Sequence, residues 1–252
     1  MTSFPGRGHR YDLIVVGAGL SGSEAALACA QAGMDVLLLT TSLDTVCNLL
    51  GDGVVLQPQA DTLMAALHRQ LADASGYVSN WDFHCQAKYK LEHQAGIHLL
   101  QSSVASLLVA DDAVQGVSTW EGVDRLAPRV ALCVGSFLQA RLQVGSLEEI
   151  AGRLSEMAYD DLYLDLAARG FSFESMTLQA RDTDPSYEVR CQRFQPAELQ
   201  GYRLPRLSGL YAAGLCAAGA LSYEAAAAQG RALAQHILQD YQAAEASSQL
   251  PS

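Results

Sequence analysis

Positive charge is scarce in this chain of 252 residues. Sixteen lysine and arginine residues stand against 27 acidic residues, which gives a formal net charge of −11. A protein that grips an RNA backbone by itself normally carries a basic excess or a basic stripe. One local concentration of cations comprises Arg190, Arg193, Arg203 and Arg206. It has two interpretations, a solvated face or an anion-binding cradle.

Long apolar runs are also absent. No apolar stretch reaches the roughly 18 uninterrupted residues that a membrane span requires. Residues Met1 to Arg10 are polar, and the apolar run behind them is typical of a strand rather than of a signal peptide. We therefore expect a cytoplasmic protein with no membrane partner.

Cysteine and histidine show no metal or disulfide pattern. The six cysteines are scattered, with no C-x-x-C pair and no metal-ligand spacing to the histidines. Free cysteines in apolar segments behave as small buried hydrophobes. The histidines show no pairing that indicates a catalytic base. We expect reduced thiols and no metal, and the catalytic residues stay unassigned.

The most informative segment present is the glycine-rich turn Gly17-Ala18-Gly19-Leu20-Ser21-Gly22. It follows a short apolar run and opens an alanine-rich stretch, and a second apolar run comes next. Gly17 permits the tight turn, Gly19 lets the backbone approach a pyrophosphate, and Gly22 lets the helix pack on its strand. The pyrophosphate would lie on the N–H groups that open the helix. This pattern predicts a dinucleotide-binding unit.

The rest of the chain indicates one α/β domain over residues 1–252 with a central parallel sheet. Helices are predicted at about 59–74, 83–94, 147–169 and 222–243, the third with Gly170 as its C-cap. Short strands over about 103–134 predict a small β-meander. Residues 246–252 are predicted to form a flexible tail.

A second strand–glycine–helix element closes the chain. The strand pattern at 209–213 ends in Gly214, and a long alanine-rich helix follows. In an open parallel sheet, ligands bind at the carboxyl ends of the strands. A cofactor held by the first and last helix N-termini would therefore join the two chain ends in one site.

These landmarks resemble the FAD domain of the glucose-inhibited division protein A family, flavoproteins that modify the wobble uridine of certain tRNAs. The similarity runs in family order from about residue 11 to 236. It implies an FAD-binding Rossmann-type domain with non-covalent FAD. Its landmarks are residues 16–26, 37–45, 114–117, 134–138, 152–156, 209–214 and 223–230.

The resemblance implies contacts to the adenosine half of FAD. Thr40 and Thr41 stand where the fingerprint usually carries a ribose-binding acid, and a threonine ends this strand in the family too. Val104 matches the residue that contacts adenine through its main chain, and Gly135 matches the glycine that lets the chain pass the cofactor. Hydroxyl groups are thus expected to bond the ribose.

The resemblance also places the C-terminal element beside the flavin. Leu215 replaces an acid that contacts the ribitol in many related flavoproteins, so only its N–H can serve there. The last helix would aim its first N–H groups at the flavin pyrimidine edge, although Glu224 is equally interpreted as an ordinary first-turn acid. The implied cofactor-binding set is Gly17, Ala18, Gly19, Leu20, Ser21, Gly22, Thr40, Thr41, Val104, Gly135, Gly214, Leu215, Tyr223, Glu224 and Ala225.

The glycine turn alone does not choose the cofactor. A G-x-G-x-x-G turn serves NAD(P) as well as FAD, so NAD(P) stays the second candidate. FAD is favoured by the resemblance and by the C-terminal element, which a simple nicotinamide dehydrogenase does not require.

Several departures from the family pattern affect the expected chemistry. The family's catalytic thiol lies in a Cys-Asn-Pro-Ala-Ile-Gly-Gly segment, of which the sequence at Cys47-Asn48 keeps two residues. The Lys-Thr-Gly-Thr-Pro-Pro-Arg segment expected after Gly170 is replaced by a different sequence. Full-length members also contain a nicotinamide-binding domain and a helical tRNA-binding region. We expect a short relative that keeps the flavin domain alone and does not bind tRNA tightly by itself.

Two functions stay open at this point. One is a flavin-dependent oxidoreductase of unknown substrate, supplied with electrons by a free reductant or a second protein. The other is an FAD-binding module or subunit without independent turnover, linked to tRNA modification through a partner. In both cases the small-molecule or protein partner is unidentified.

Overall fold

The structure, a computed structural model, describes residues 5–6, 8–153, 156–180, 185–219 and 221–248. Strands and helices alternate in the first half of the chain, and antiparallel strands fill much of the second. In chain order they are β1 (Leu13–Val16), α1 (Leu20–Gln31), β2 (Val36–Thr40), β3 (Gly53–Val55), α2 (Leu63–Leu71), β4 (Tyr77–Ser79), α3 (Asn80–His93), β5 (Ile97–Gln101), β6 (Val104–Ala110), β7 (Ala113–Thr119), β8 (Asp124–Leu126), β9 (Val130–Leu132), β10 (Arg141–Val144), β11 (Leu147–Glu149), α4 (Asp160–Ala168), β12 (Phe173–Ala180), β13 (Tyr187–Phe194), β14 (Leu210–Ala212), α5 (Leu215–Ala218) and α6 (Tyr223–Ser248).

A five-stranded parallel sheet forms the centre of the molecule, in the order β14-β9-β1-β2-β5. Every residue of β1, β2, β9 and β14 is buried. Parallel strands covered on both faces need apolar residues at every position, which explains the unbroken apolar runs of the sequence. The predicted central parallel sheet is confirmed.

The two faces of this sheet carry separate cores. Leu13 and Val15 pack into the core that α1, α2, α3 and α6 cover, whereas Ile14 and Val16 pack on the opposite side with residues of β6, β7 and α4. Successive strand residues point to opposite faces, so one strand contributes side chains to both cores. The described helices include none long and apolar enough to cross a membrane.

The β-meander is smaller than the sequence pattern predicts. It consists of β6, β7 and β8 and ends at Leu126. The next strand, β9, leaves it and enters the parallel sheet between β14 and β1. The predicted extension of the meander to residue 134 is therefore wrong. Complete burial of β9 is the physical signature of a central strand rather than of a meander edge.

A four-stranded antiparallel sheet, in the order β11-β10-β13-β12, was not predicted. Its strand β11 occupies part of the span expected to be helical, so the predicted helix over 147–169 is wrong at the described residues before 160. Residues 154 and 155 of that prediction lie outside the described part of the chain. Gly145 adopts a φ of +58° between β10 and β11, a turn conformation that favours glycine. The helix that does form, α4, is followed by Gly170 at a φ of +86°, as expected of a C-cap.

The last helix is longer than predicted. It begins at Tyr223 and continues to Ser248, so residues 246–248 of the expected tail are helical. Residues 249–252 lie outside the described part of the chain. The α1 and α6 helices pack against each other on one face of the sheet, which brings the first and last helices of the chain together.

Candidate functional site

A cleft opens at the carboxyl ends of the parallel strands. Its walls come from the residues that follow β1, β2, β9 and β14 and from the start of α6. This is the edge at which ligands of open parallel sheets bind. The residues of the predicted set that line it are Gly17, Ala18, Gly19, Leu20, Ser21, Thr40, Thr41, Gly135, Gly214, Leu215 and Tyr223.

The three fingerprint glycines have different surroundings. A Cβ on Gly17, whose φ is +103°, would overlap with the carbonyl oxygen of Cys133, and one on Gly22 would overlap with the carbonyl oxygen of Gly17. A Cβ on Gly19 would meet no atom within 4 Å. Two of the glycines therefore permit close packing of the protein on itself, and Gly19 leaves open space on the cleft side.

The α1 helix begins at this open space. Gly19 is its N-cap, and the first N–H bonded back to it belongs to Ser23, at 2.9 Å. The first turn of this described helix contains no acidic residue. The N–H groups of Leu20 and Ser21 precede the helical ladder at the wall of the cleft, so the positive end of the helix favours an anion there.

The C-terminal element closes the cleft from the other side. Gly214, with a φ of +78°, turns the chain from β14 into α5. A Cβ on it would lie 2.9 Å from Oγ of Ser21, and its N–H donates to Oε1 of Gln229 at 3.1 Å. The predicted juxtaposition of the two glycine elements is thus present, on one edge of the sheet.

The end of β2 carries hydroxyl groups and a carboxyl group from elsewhere. Thr40 donates from Oγ1 to the carbonyl oxygen of Ser42 at 3.0 Å. Glu156, from the segment between β11 and α4, reaches the hydroxyls of Thr41 and Thr45. Burial raises the pKa of Glu156, and Thr45, Arg153 and Thr41 oppose that rise. The cleft therefore has an acidic group beside the end of β2, where the sequence itself carries threonines.

Sequence reasoning assigned no role to several residues of the cleft. Arg153 lines it and donates from Nη2 to the carbonyl oxygen of Asn48 at 2.5 Å. Arg153 and Glu156 belong to the 152–156 landmark of the family resemblance, to which the sequence analysis assigned no role. Residues 154 and 155 of this landmark lie outside the described part of the chain. The other cleft residues in this class are Thr45, Asn48, Cys133, Val134, Ser136, Phe137, Tyr159, Leu221, Ser222 and Ala226.

Four predicted residues do not line the cleft. Gly22 packs against the protein, and Val104 is buried at the start of β6, where it pairs with Thr119. A carboxylate oxygen of Glu224 accepts the N–H of Gln57 at 3.1 Å, and the N–H of Ala225 donates to Oγ of Ser222 at 3.2 Å. Glu224 is thus bonded to the segment after β3, and Ser222 occupies the N–H group of Ala225 as an N-cap.

Cys47 is a buried thiol rather than an accessible nucleophile. It is 2% exposed, and burial raises its pKa to about 12. Its own N–H donates to the carbonyl oxygen of Ala18 at 2.9 Å, which holds the residue behind the glycine turn. A catalytic cysteine needs an accessible thiolate. The geometry of Cys47 therefore supports a structural role.

The arginine cluster is distributed over four ion pairs. Arg190 pairs with Glu148 at 3.6 Å and Arg193 with Glu174 at 2.5 Å, both on the antiparallel sheet. The remaining two pairs are Arg203–Asp240 at 2.5 Å and Arg206–Glu198 at 3.4 Å. Each guanidinium group has a carboxylate within 4 Å, so this arrangement does not form an anion cradle.

A second chamber adjoins the cleft. Residues of β3, β12 and β13 line much of it. The residues that it shares with the cleft are Ser136, Arg153, Leu215, Leu221, Ser222 and Tyr223. The hydroxyl of Tyr187 is buried there with no hydrogen-bond partner among the described residues. The chamber offers an apolar space with a polar hydroxyl beside the cleft.

The parallel sheet, the glycine turn at its carboxyl edge and the closing last helix define a Rossmann-like α/β domain, the class of fold in which many dinucleotides bind. The sequence matches the model of the family described as Glucose inhibited division protein A over residues 12–180. The chain belongs to the glucose-inhibited division protein A family.

Relatives extend this assignment. The tRNA uridine 5-carboxymethylaminomethyl modification enzyme MnmG of Chlamydia abortus is 34% identical over 188 residues, which are 64% of this chain and 30% of that protein. The chain thus spans about a third of the length of the curated relatives it matches. The corresponding enzyme of Chlamydia caviae gives the same identity and coverage.

Solved structures show the same architecture. The GidA-related protein from Thermus thermophilus is 40% identical, with a TM-score of 0.79 over 92% of this chain and 100% of that one. Aquifex aeolicus GidA has a TM-score of 0.78 over 90% of this chain and 63% of its own, at 15% identity. An oxidoreductase from Agrobacterium tumefaciens shares the fold at 11% identity, with a TM-score of 0.58 over 93% of this chain and 99% of its own. The Rossmann-type fold class is confirmed.

Proposed function

We propose that this chain, acting as one domain, binds FAD non-covalently in the cleft and is a flavin-dependent oxidoreductase. The observation that carries the proposal is the open space at Gly19, located between the N-terminus of α1 and the C-terminal glycine element. A pyrophosphate fits there because the backbone can be approached without hindrance and the helix end favours negative charge. Bound FAD supplies redox chemistry.

The cleft residues divide among the parts of the cofactor. The turn from Gly17 to Ser21 would hold the pyrophosphate, and Thr40 with Thr41 would face the adenosine ribose. Gly214 and Leu215 would face the ribitol, with Tyr223 near the flavin ring. The protein's own contribution is to bind and orient the cofactor.

The adjoining chamber would admit a small substrate to the flavin. Leu50 donates its N–H to the Tyr223 hydroxyl at 2.8 Å, which ties the chamber wall to the start of α6. The buried hydroxyl of Tyr187 would orient a polar group of that substrate. Replacement of Tyr187 by phenylalanine is expected to raise the KM of a substrate and to leave the flavin spectrum unchanged.

The visible spectrum of the purified protein tests the cofactor. Absorption bands near about 375 and 450 nm that persist through gel filtration and are lost after denaturation and filtration support bound FAD. A colourless protein that binds NADH and does not take up added FAD would reverse the choice in favour of a nicotinamide cofactor.

The second candidate is an FAD-binding module that works beside a partner. The buried Cys47 favours it, as does the absence of histidine from the cleft lining within the described residues. Because relatives are named as tRNA modification enzymes, the proposed setting for such a module is a tRNA-modifying assembly. Anaerobic titration with NADH, NADPH and dithionite separates the two functions. Bleaching of the flavin by NADH or NADPH, followed by turnover with oxygen, supports the oxidoreductase. Bleaching of the flavin by dithionite alone supports the module.

A further inference from the structure

The dinucleotide fingerprint normally ends with a carboxylate at the end of the second strand, where it accepts hydrogen bonds from the adenosine ribose. In this chain β2 ends in Thr40, and Thr41 follows. Thr40 already donates its hydroxyl hydrogen to Ser42 within the protein. The position therefore lacks the strong acceptor that a ribose diol usually meets.

A carboxyl group reaches this place from a distant part of the sequence. Glu156 lines the cleft beside the hydroxyls of Thr41 and Thr45. Its carbonyl oxygen accepts the N–H of Gly152 at 2.8 Å, which holds its backbone in place. Three residues later, Tyr159 donates its N–H to the carbonyl oxygen of Phe137 at 2.8 Å, which anchors the segment to the loop after β9.

One oxygen of this carboxyl group lacks a partner. Oε1 of Glu156 is buried and makes no hydrogen bond within the described part of the chain. A buried acceptor without a donor is costly, and native structures rarely keep one without a purpose. Burial also raises the pKa of the group, because the charged form loses hydration there.

We infer that Glu156 is the ribose-binding acid of this protein and accepts hydrogen bonds from the 2′- and 3′-hydroxyls of the adenosine in FAD. The inference rests on the proposed binding of FAD. Glu156 lies beside the end of β2, where the adenosine ribose is expected, whereas the ribitol would face Gly214 and Leu215. A pyrophosphate does not fit beside Glu156, because two anions would repel each other.

The test measures binding to the flavin-free protein by calorimetry. The ligands are FAD and its analogue with 2′-deoxyadenosine, and the variants are Glu156→Ala and Glu156→Gln. Glu149→Gln is the matched control, because Glu149 is an exposed acid on β11 outside the cleft. Thermal melting of each variant checks that it folds, and the near-isosteric glutamine variant carries the test if the alanine variant does not.

The wild type and the Glu149→Gln control are expected to bind the deoxy analogue about tenfold to a hundredfold more weakly than FAD, the usual range for a hydrogen bond to a charged group. Both Glu156 variants should bind FAD more weakly and discriminate less between the two ligands. Unchanged discrimination in these variants would overturn the inference while FAD binding stands. Failure of the wild type to bind FAD at all would instead overturn the proposed function.

Discussion

The hydroxyl of Ser21, in the first turn of α1, donates a hydrogen bond to the carbonyl oxygen of Ala226, in the first turn of α6, at 2.8 Å. The two residues are 205 positions apart in sequence. Their contact brings the glycine turn at the beginning of the chain against the last helix. The cleft is therefore formed only when the two ends of the fold have met.

Close approach of the two helices depends on Gly230. A Cβ at this position would overlap with the carbonyl oxygen of Ser21 and lie 2.8 Å from Cβ of Glu24. We expect Gly230→Ala to lower the free energy of unfolding by about 1–3 kcal/mol, as overpacking does, and to weaken FAD binding. Urea denaturation measures the first effect. Gly8→Ala is the control, since a Cβ there meets nothing within 4 Å; equal midpoints for both variants would contradict this account.

Gly19 and Gly22 should separate cofactor binding from folding. Gly19→Ala adds a methyl group in open space at a φ of −73°, so the free energy of unfolding should change by less than about 1 kcal/mol. The methyl group would stand where the pyrophosphate approaches, and FAD affinity should fall by about tenfold or more. Gly22→Ala should destabilise the flavin-free protein, because its Cβ would overlap with Gly17. Thermal melting and FAD titration of both variants measure this contrast between stability and affinity. Equal FAD affinities of the wild type and Gly19→Ala would contradict it.

Features set by short-range chemistry were predictable, and features set by distant packing were not. The turn from Gly17 to Gly22 follows from local backbone requirements. The strand that replaces the start of the predicted helix over 147–169 is stabilised through β10 by pairing with β13, which no local pattern encodes. The proximity of Glu156 to Thr41 is a contact between residues far apart in the chain and was equally hidden from the sequence.

Cys47 should be unreactive in the folded protein. Its thiol is buried and its pKa is raised to about 12, so almost no thiolate exists near neutral pH. Brief treatment with iodoacetamide near neutral pH, followed by peptide mass spectrometry, should leave Cys47 unmodified and label Cys85, which is partly exposed. Denatured protein provides the control in which both are labelled. Rapid labelling of native Cys47 would restore it as a candidate nucleophile.

Glu24 should make stability depend on pH. It is 3% exposed and accepts the N–H groups of Leu63 and Met64 at 2.8 and 2.9 Å, at the start of α2. Burial raises its pKa above the ordinary 4.5, so the folded state binds its proton more tightly than the unfolded state does. Its contribution is therefore complete below about pH 4.5 and is lost as pH rises through the folded-state pKa.

The comparison of wild type with Glu24→Gln isolates this effect. Other titrating groups, including Glu156, are common to both proteins and cancel in the difference between their free energies of unfolding. That difference should shift in favour of the glutamine variant as pH rises from about 4.5 towards neutrality. Denaturant titrations at several pH values measure it. A shift in the opposite direction would show that the two N–H bonds and Arg231 outweigh the burial of the carboxylate.

Binding of RNA by this chain alone should be weak. Affinity for a nucleic acid backbone depends on the number of phosphates that cations neutralise. The four arginines that form the local concentration of positive charge are each paired with a carboxylate. The chain as a whole carries a formal charge of −11, which repels a polyanion at long range.

We therefore expect bulk tRNA to bind with a Kd weaker than about 1 µM at near-physiological salt, the range of non-specific contacts. Fluorescence anisotropy with labelled tRNA measures this. A variant with Arg190, Arg193, Arg203 and Arg206 replaced by alanine should bind no more tightly than the wild type, and any loss should be small because each guanidinium group is already paired with a carboxylate. Submicromolar binding that this variant loses would show that tRNA displaces the carboxylates from the arginines. In that case the paired arginines would be an RNA-binding surface that the ion pairs cover in the free protein.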